Sequence, residues 1–481
     1  MARDTWATRI GFILAAVGSA VGLGNIWRFP WLTAANGGGA FLIVYLVVIF
    51  VVGVPGLLAA LVIGRRANRN PIDAFRTLSN GSRAWPLLGV LFLVTTVVLL
   101  SFYSVVGGWT LNYIVASFTG AYGGDPGTYY EAINFGTTAL LYQALFLLLT
   151  AIIVGLGVRR GIEMGTKVMM PALIVLLVAI SIWAAIQPGA IEGYVYYFTF
   201  DPATVVANLP SILPAAVGQA AFTLSVGNGA MITYASYIGE DHSLPVDGSA
   251  IAVLNTLIGV LAGLVVFPLL FVFTGGPGSG GPGTVFVSLA AGFAALPYGN
   301  LLGVAFYAVI ALAALSSSIS MLEIPVSYLI DEYDVGRRTV TFGLLVLVLV
   351  TGATNSLNGE LFTFVSGPLV SMLMTAGFIG LLLFAGWVLR SEAIAEFTLG
   401  AGPVADVVAK LWLALVSVAL PLFLGYSLLQ SILGVVGVSV GWTVTISVTL
   451  VLGILCFGFL YRQHPDTVLN PTSTPEKPND D

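Results

Sequence analysis

The chain has two histidines, His242 and His464, and one cysteine, Cys456, among 481 residues. So few soft ligands exclude a zinc or haem centre and any disulfide framework. Charge is scarce too: Asp, Glu, Lys and Arg make up 8% of the chain against 58% apolar residues, and the mean hydropathy is +1.00. That composition lies far from the soluble norm and identifies a polytopic membrane protein, with the lipid bilayer as partner and no nucleic acid. The first apolar segment is too long for the h-region of a signal peptide and continues into further spans, so it reads as a span and not as a leader.

What is present is apolar sequence in runs of about 20 residues, the length that crosses a bilayer. Twelve such runs start near residues 9, 40, 86, 136, 166, 211, 247, 300, 337, 361, 405 and 438. With a cytoplasmic N-terminus, the inner side receives 16 of the 17 basic residues, and both termini lie in the cytoplasm at the cell membrane. Arg28, at the outer end of the first span, is the exception. Residues 188–210 form an aromatic, proline-bounded outer connection, and residues 274–299 open on GGPGSGGPG and are read as a short hairpin of helices over an outer vestibule. The Gly/Pro run lacks the Lys-Ser/Thr of a phosphate loop. The tail 465–481 is polar and reads as disordered.

Two spans are interrupted. Residues 18–30, GSAVGLGNIWRFP, carry Gly18, Gly22 and Gly24 with Asn25 inside an apolar segment; residues 227–229 repeat the oddity in the sixth span, GQAAFTLSVGNGAMITYASY. A helix in hydrocarbon must satisfy its own backbone, so such breaks belong where they line a cavity. Their separation by five spans fits two successive five-helix repeats, a transporter arrangement with its site at the midplane.

A sodium ion, being hard, suits neutral oxygens, and broken helices free carbonyls. Asn25, Thr223 and Asn255 form one candidate set on three spans, and the LSSSIS run with Ser316, Ser317 and Ser318 adds hydroxyls elsewhere. Single Ser, Thr or Asn residues in such helices more often hydrogen-bond between helices, so the weight rests on the combination. Half-helix N-termini attract a carboxylate, and the first span supplies no acid of its own for an amine, which selects amino acids over amines. Glu323, an acid inside the eighth span, requires a partner or a cavity, and the sequence does not name which.

These residues carry a family resemblance. WATRIGFILAAVGSAVGLGNIWRFP, NGGGAFLIVY, GVPGLL, IGRR, GQAAFTLSVGNGAMITYASY and ALSSSISMLEIPVSYLIDE together resemble the neurotransmitter:sodium symporter family, most of all its prokaryotic amino-acid transporters, over the first ten spans. The resemblance implies an all-α membrane fold of about twelve helices: a 5+5 inverted repeat with unwound helices one and six, plus two extra helices. It divides the chain into a first repeat at 1–187, a second at 188–390 and two further spans at 391–464. It implies no enzyme but a sodium-coupled symporter of neutral amino acids. One sodium ion would take the Ala20 carbonyl, Asn25, Thr223 and Asn255. A second would take the carbonyls of Gly18, Val21 and Ala313 with Ser316 and Ser317. The substrate pocket would comprise Ala20, Leu23, Gly24, Leu99, Tyr103, Phe222, Thr223, Ser225, Asn228, Ser317 and Met321. Arg28, Tyr103 and Phe222 would close the outer side, and Arg3, Asp331 and Tyr237 the inner.

The chain also departs from that pattern. Thr363 aligns where an acid opposite Arg28 is expected, which leaves Glu360, one turn away, or no partner at all. Ala60 stands where the family usually has Glu. Gly259 replaces the residue that distinguishes chloride-dependent from chloride-independent members, while Tyr45, Gln219 and Asn255 remain, so chloride coupling stays open. Asn228 is polar where well-known bacterial members place an apolar side chain. Two other classes stand beside the symporter: a channel lined by the same polar residues, and a hydrolase using Ser317 with Glu323. The hydrolase lacks the His or Lys base that would activate the serine within any span.

Overall fold

A computed structural model describes residue 6 and residues 8–79, 81–239, 242–277, 283–402, 404–438 and 440–463, without the side chains of 210, 211, 284 and 404. The described residues are helical with no strand. Ten continuous helices are long and apolar enough to cross a membrane: Gly39–Ala67, Pro86–Thr119, Thr137–Gly155, Val158–Ala185, Leu244–Thr274, Gly299–Tyr333, Arg337–Leu357, Gly359–Leu389, Ala405–Val436 and Trp442–Arg462. Two bent pairs bring the number to twelve, Arg9–Ala20 with Gly24–Ala35 at 47° and Pro202–Leu209 with Ile212–Thr223 at 86°. Spans are numbered below in chain order, the bent pairs being the first and sixth.

Burial separates the spans. The second, third, seventh and eighth are mostly enclosed by protein, whereas the twelfth exposes most of its apolar side chains, as a lipid-facing helix does. The third and eighth pack along their length at the centre. Outer ring contacts join Trp109 and Tyr113 of the third span, Phe286 and Tyr307: the Phe286 ring lies 5.8 Å from Trp109 and 5.1 Å from Tyr113, and stacks on Tyr307 at 5.9 Å. This cluster seats one helical segment, Val285–Ala295, against the bundle. Among the described residues, the connection after the seventh span therefore holds one helix where a hairpin was expected; residues 278–282 of the Gly/Pro run lie outside the described residues. Residues 188–210 contain the helix Ala190–Phe198, packed on the seventh span, and the start of the sixth span at Pro202.

Both expected interruptions are present. In the first span Val21 turns extended (φ −79°, ψ 108°), and the helix resumes with a wide π-type turn at Gly24–Arg28. In the sixth, residues 224–229 leave the helix before Ala230–Ala235 restarts it. Gly227 (φ 96°) and Gly229 (φ 83°) adopt the left-handed backbone that glycine tolerates, and Ser225 (φ 51°) adopts it without that freedom.

Candidate functional site

The two breaks face each other at the centre of the bundle. Ser225 Oγ donates to the Ser19 carbonyl at 3.0 Å, which joins the sixth-span break to the first. Asn25 Nδ2 donates to both the carbonyl (3.0 Å) and Oδ1 (2.9 Å) of Asn255, and Thr223 Oγ1 donates to Asn25 Oδ1 at 2.9 Å. Asn255 Nδ2 in turn reaches Thr223 Oγ1 at 3.1 Å. The three residues singled out on three spans thus form one buried, neutral, oxygen-rich cluster. Ala20 is buried on the last turn before the break, and Gly24 and Phe222 touch so closely that a Cβ on Gly24 would lie 2.8 Å from the Phe222 ring.

A second cluster lies on the turn just before the first-span break. Ser317 Oγ stands 3.1 Å from the Ser19 carbonyl, 3.2 Å from that of Val21 and 3.5 Å from that of Gly18. Ser316 Oγ is 3.2 Å from the same Val21 carbonyl and 2.9 Å from Ala313 O. One hydroxyl hydrogen cannot serve three carbonyls at once. The surplus of acceptor oxygens, without any fixed negative charge, is the chemistry that fits a hard monovalent cation. Among the described residues no group of three or more His, Cys, Asp or Glu could hold a metal instead.

Between the clusters, Tyr103 OH accepts the Leu23 backbone N–H at 3.0 Å, at the start of the resumed helix. Gly22 is flanked by the hydroxyls of Tyr103 and Ser317, which a Cβ there would strike. Leu99 and Met321 are buried beside them on the third and eighth spans. Asn228 is also buried; Thr96 Oγ1 donates to its carbonyl at 3.0 Å, and its Oδ1 accepts the Ala230 N–H at 3.0 Å across the turn ahead of the restarted helix.

Beyond the break in the first span, the Arg28 guanidinium sits over the Phe222 ring at 5.0 Å and donates to the Gly218 carbonyl at 3.4 Å. Among the described residues no carboxylate lies within ion-pair distance of Arg28. Glu360 and Thr363 line a separate outer cleft with Phe135 and Asn358. Of the two alternatives left by the sequence, Glu360 as the partner is therefore not realised; Ser366, Ser371 and Thr375 surround the Arg28 cavity instead.

Ahead of the first span, Trp6 Nε1 donates to the Tyr234 carbonyl (3.0 Å) and Trp6 N to Tyr237 O (3.3 Å), pinning the chain there against the restarted helix of the sixth. Tyr237 OH donates to Glu323 Oε1 at 2.9 Å, and Arg337 grips both carboxylate oxygens of Glu323 at 2.6 and 3.1 Å. This is the partner the sequence did not name. Asp331 accepts from Asn70 Nδ2 at 3.1 Å, while its expected counterpart Arg3 lies outside the described residues. A further inner cluster escaped sequence reasoning: Arg9 holds Asp247 Oδ1 at 2.6 and 2.9 Å, and His242 Nδ1 lies 2.8 Å from Asp247 Oδ2. The available signal was Asp247 itself, an acid at the first turn of an apolar span.

Comparison with known proteins agrees with this architecture. An uncharacterised sodium-dependent transporter of Bacillus subtilis is 37% identical over 353 residues, covering 72% of this chain and 77% of its own. One from Haemophilus influenzae is 31% identical over 451 residues, 88% of this chain and 96% of that one. The sodium-dependent neutral amino acid transporter B(0)AT2 of Bos taurus is 31% identical over 56% of this chain, which is 41% of its own length. The crystal structure of MhsT in complex with L-phenylalanine superposes with a TM-score of 0.80 at 37% identity, covering 89% of this chain and 100% of that one. The model of the sodium:neurotransmitter symporter family matches residues 3–125 and 132–383, and with broken first and sixth spans meeting at a neutral oxygen site, this chain belongs to that family of sodium-dependent transporters.

Proposed function

We propose that this protein is a symporter that couples inward sodium flow to the uptake of a neutral amino acid by alternating access. The observation that carries the reading is the Asn25–Thr223–Asn255 cluster, built from three spans at the point where two helices break. In this reading one sodium ion binds there with the Ala20 carbonyl, and a second binds among Gly18, Val21, Ala313, Ser316 and Ser317. The substrate carboxylate docks on the Leu23 N–H and Tyr103 hydroxyl, where the half-helix end carries partial positive charge. Ala20, Gly24, Leu99, Phe222, Ser225, Asn228 and Met321 enclose the rest of the ligand. The named substrates of relatives support an amino acid: MhsT was crystallised with L-phenylalanine, and B(0)AT2 is a neutral amino acid transporter.

Coupling requires that sodium and substrate bind the occluded state more tightly than the open states, since equal affinity for all states shifts nothing. The two five-helix repeats, 1–187 and 188–390, move against each other in this reading. Arg28 and Phe222 cover the outer side, Trp6, Tyr237, Glu323 and Asp331 brace the inner, and both termini face the cytoplasm. The test is uptake of radiolabelled amino acids into proteoliposomes under an inward sodium gradient. Saturable uptake of one or more neutral amino acids in sodium, absent in potassium, is expected; sodium conductance without saturable uptake would make the protein a channel.

A further inference from the structure

Arg28 is a cation without a protein counter-charge. It is partly buried, and beyond the Phe222 ring at 5.0 Å it makes one long hydrogen bond, to the Gly218 carbonyl at 3.4 Å. A guanidinium carries five N–H donors, so most of them have no acceptor among the described residues. The cavity that Arg28 shares between the first, sixth and tenth spans is lined by Gly218, Phe222, Ser366, Ser371 and Thr375. Ser366 lies in the wide π-type turn Val365–Leu369 of the tenth span, an irregularity of the kind that recurs at functional sites. Thr375 spends its hydroxyl hydrogen on the Ser371 carbonyl at 2.7 Å. The hydroxyls of Ser366 and Ser371 have no hydrogen-bond partner among the described residues.

A guanidinium cannot shed its proton, and a charge drawn out of water without a partner is costly. No carboxylate lines this cavity, and Glu360 lines another. What the cavity offers is one fixed positive charge and two unspent hydroxyl donors, on two spans that only an intervening acceptor can join. Donors to a charged acceptor make the stronger class of hydrogen bond. The space admits one small ion and not a substrate side chain, and a divalent anion would leave a charge uncompensated. We propose that Arg28, Ser366 and Ser371 form a chloride site, in which the ion supplies the missing counter-charge and ties the first span to the tenth. The site stands whether or not the symporter reading holds, because it depends on these three side chains and not on the cargo.

The experiment uses the full-length protein in nanodiscs and follows its melting temperature as chloride replaces gluconate at constant sodium and ionic strength, with binding of radiolabelled chloride measured in parallel. A saturable rise of about 2 °C is expected, and bromide should reproduce it. Arg28→Gln should weaken chloride binding about tenfold or more, the loss of a hydrogen bond to a charged group. A cooperative melt in gluconate shows that this variant is folded. Ser371→Asp places a carboxylate in the cavity. It should be as stable in gluconate as the unmodified protein is in chloride, and should no longer respond to chloride. Equal melting in chloride and gluconate, or a rise that never saturates, would overturn the proposal. So would a chloride response that persists undiminished in Arg28→Gln or in Ser371→Asp, which would place the ion elsewhere, such as near Gly259. If Arg28→Gln does not fold, the response of Ser371→Asp decides.

Discussion

Glu323 and Arg337 form a two-point ion pair across the short turn, residues 334–336, that joins the eighth and ninth spans. Glu323 is fully buried and Arg337 partly buried, with side-chain exposures of 0% and 19%. The pair is further tied to the sixth span through Tyr237. An acid deep in an apolar helix is thereby neutralised without leaving the protein.

Removing one member of that pair strands a charge. Arg337→Gln should destabilise the protein by about 3–5 kcal/mol, the usual penalty for breaking a buried pair. Glu323→Gln in the same chain should restore much of the loss, since two neutral amides replace two charges. Melting temperatures of the single and double variants check this; an additive double variant would mean that the two side chains do not act together.

Asn25→Ala removes the oxygen that Thr223 and the Gly22 N–H both address, at 2.9 and 3.4 Å. Sodium titration of substrate binding should shift to higher concentration by about tenfold or more, the range for one lost buried hydrogen-bonding group. An unchanged titration would take Asn25 out of the ion site.

Arg28→Ala should reduce uptake much more than it reduces stability, because the guanidinium has a ring contact and one long hydrogen bond but no ion pair to lose. Glu360→Gln should leave uptake close to that of the unmodified protein. A parallel loss in both variants would reinstate Glu360 as the partner of Arg28 in another conformation.

Gly22→Ala drives a methyl group into the hydroxyls of Ser317 and Tyr103. Overpacking of this kind costs about 1–3 kcal/mol, and here the atoms pushed aside are those assigned to the ligands. Substrate binding in sodium should fall below detection while the helical content by circular dichroism stays unchanged. Retained binding would show that the break in the first span can open without harm to the site.

Much of this was legible in the chain because lipid imposes a strong rule: a helix in hydrocarbon can contain glycines and an asparagine in mid-span only where its backbone finds other partners. Asn25, Thr223 and Asn255 could therefore be grouped before any coordinates, and they meet. What the sequence withheld were pairings set by the turns between spans. Arg337 faces Glu323 because residues 334–336 reverse the chain, and Arg9 finds Asp247 because the first and seventh spans start side by side. No periodicity encodes either. The outer connection failed as a hairpin for a similar reason: apolar residues 285–295 have a ready-made aromatic wall to lie on, so one helix suffices.

Ser317 reaches both sides of the site, since its single oxygen touches the carbonyls of the first break and stands beside Gly22 and the phenol of Tyr103. On the symporter reading, selection acting on this position could not adjust the affinity for the driving ion without disturbing the affinity for the cargo. On that reading, descendants of this chain that change what they carry would vary the residues around the ligand's side chain and leave this serine as the inherited constant.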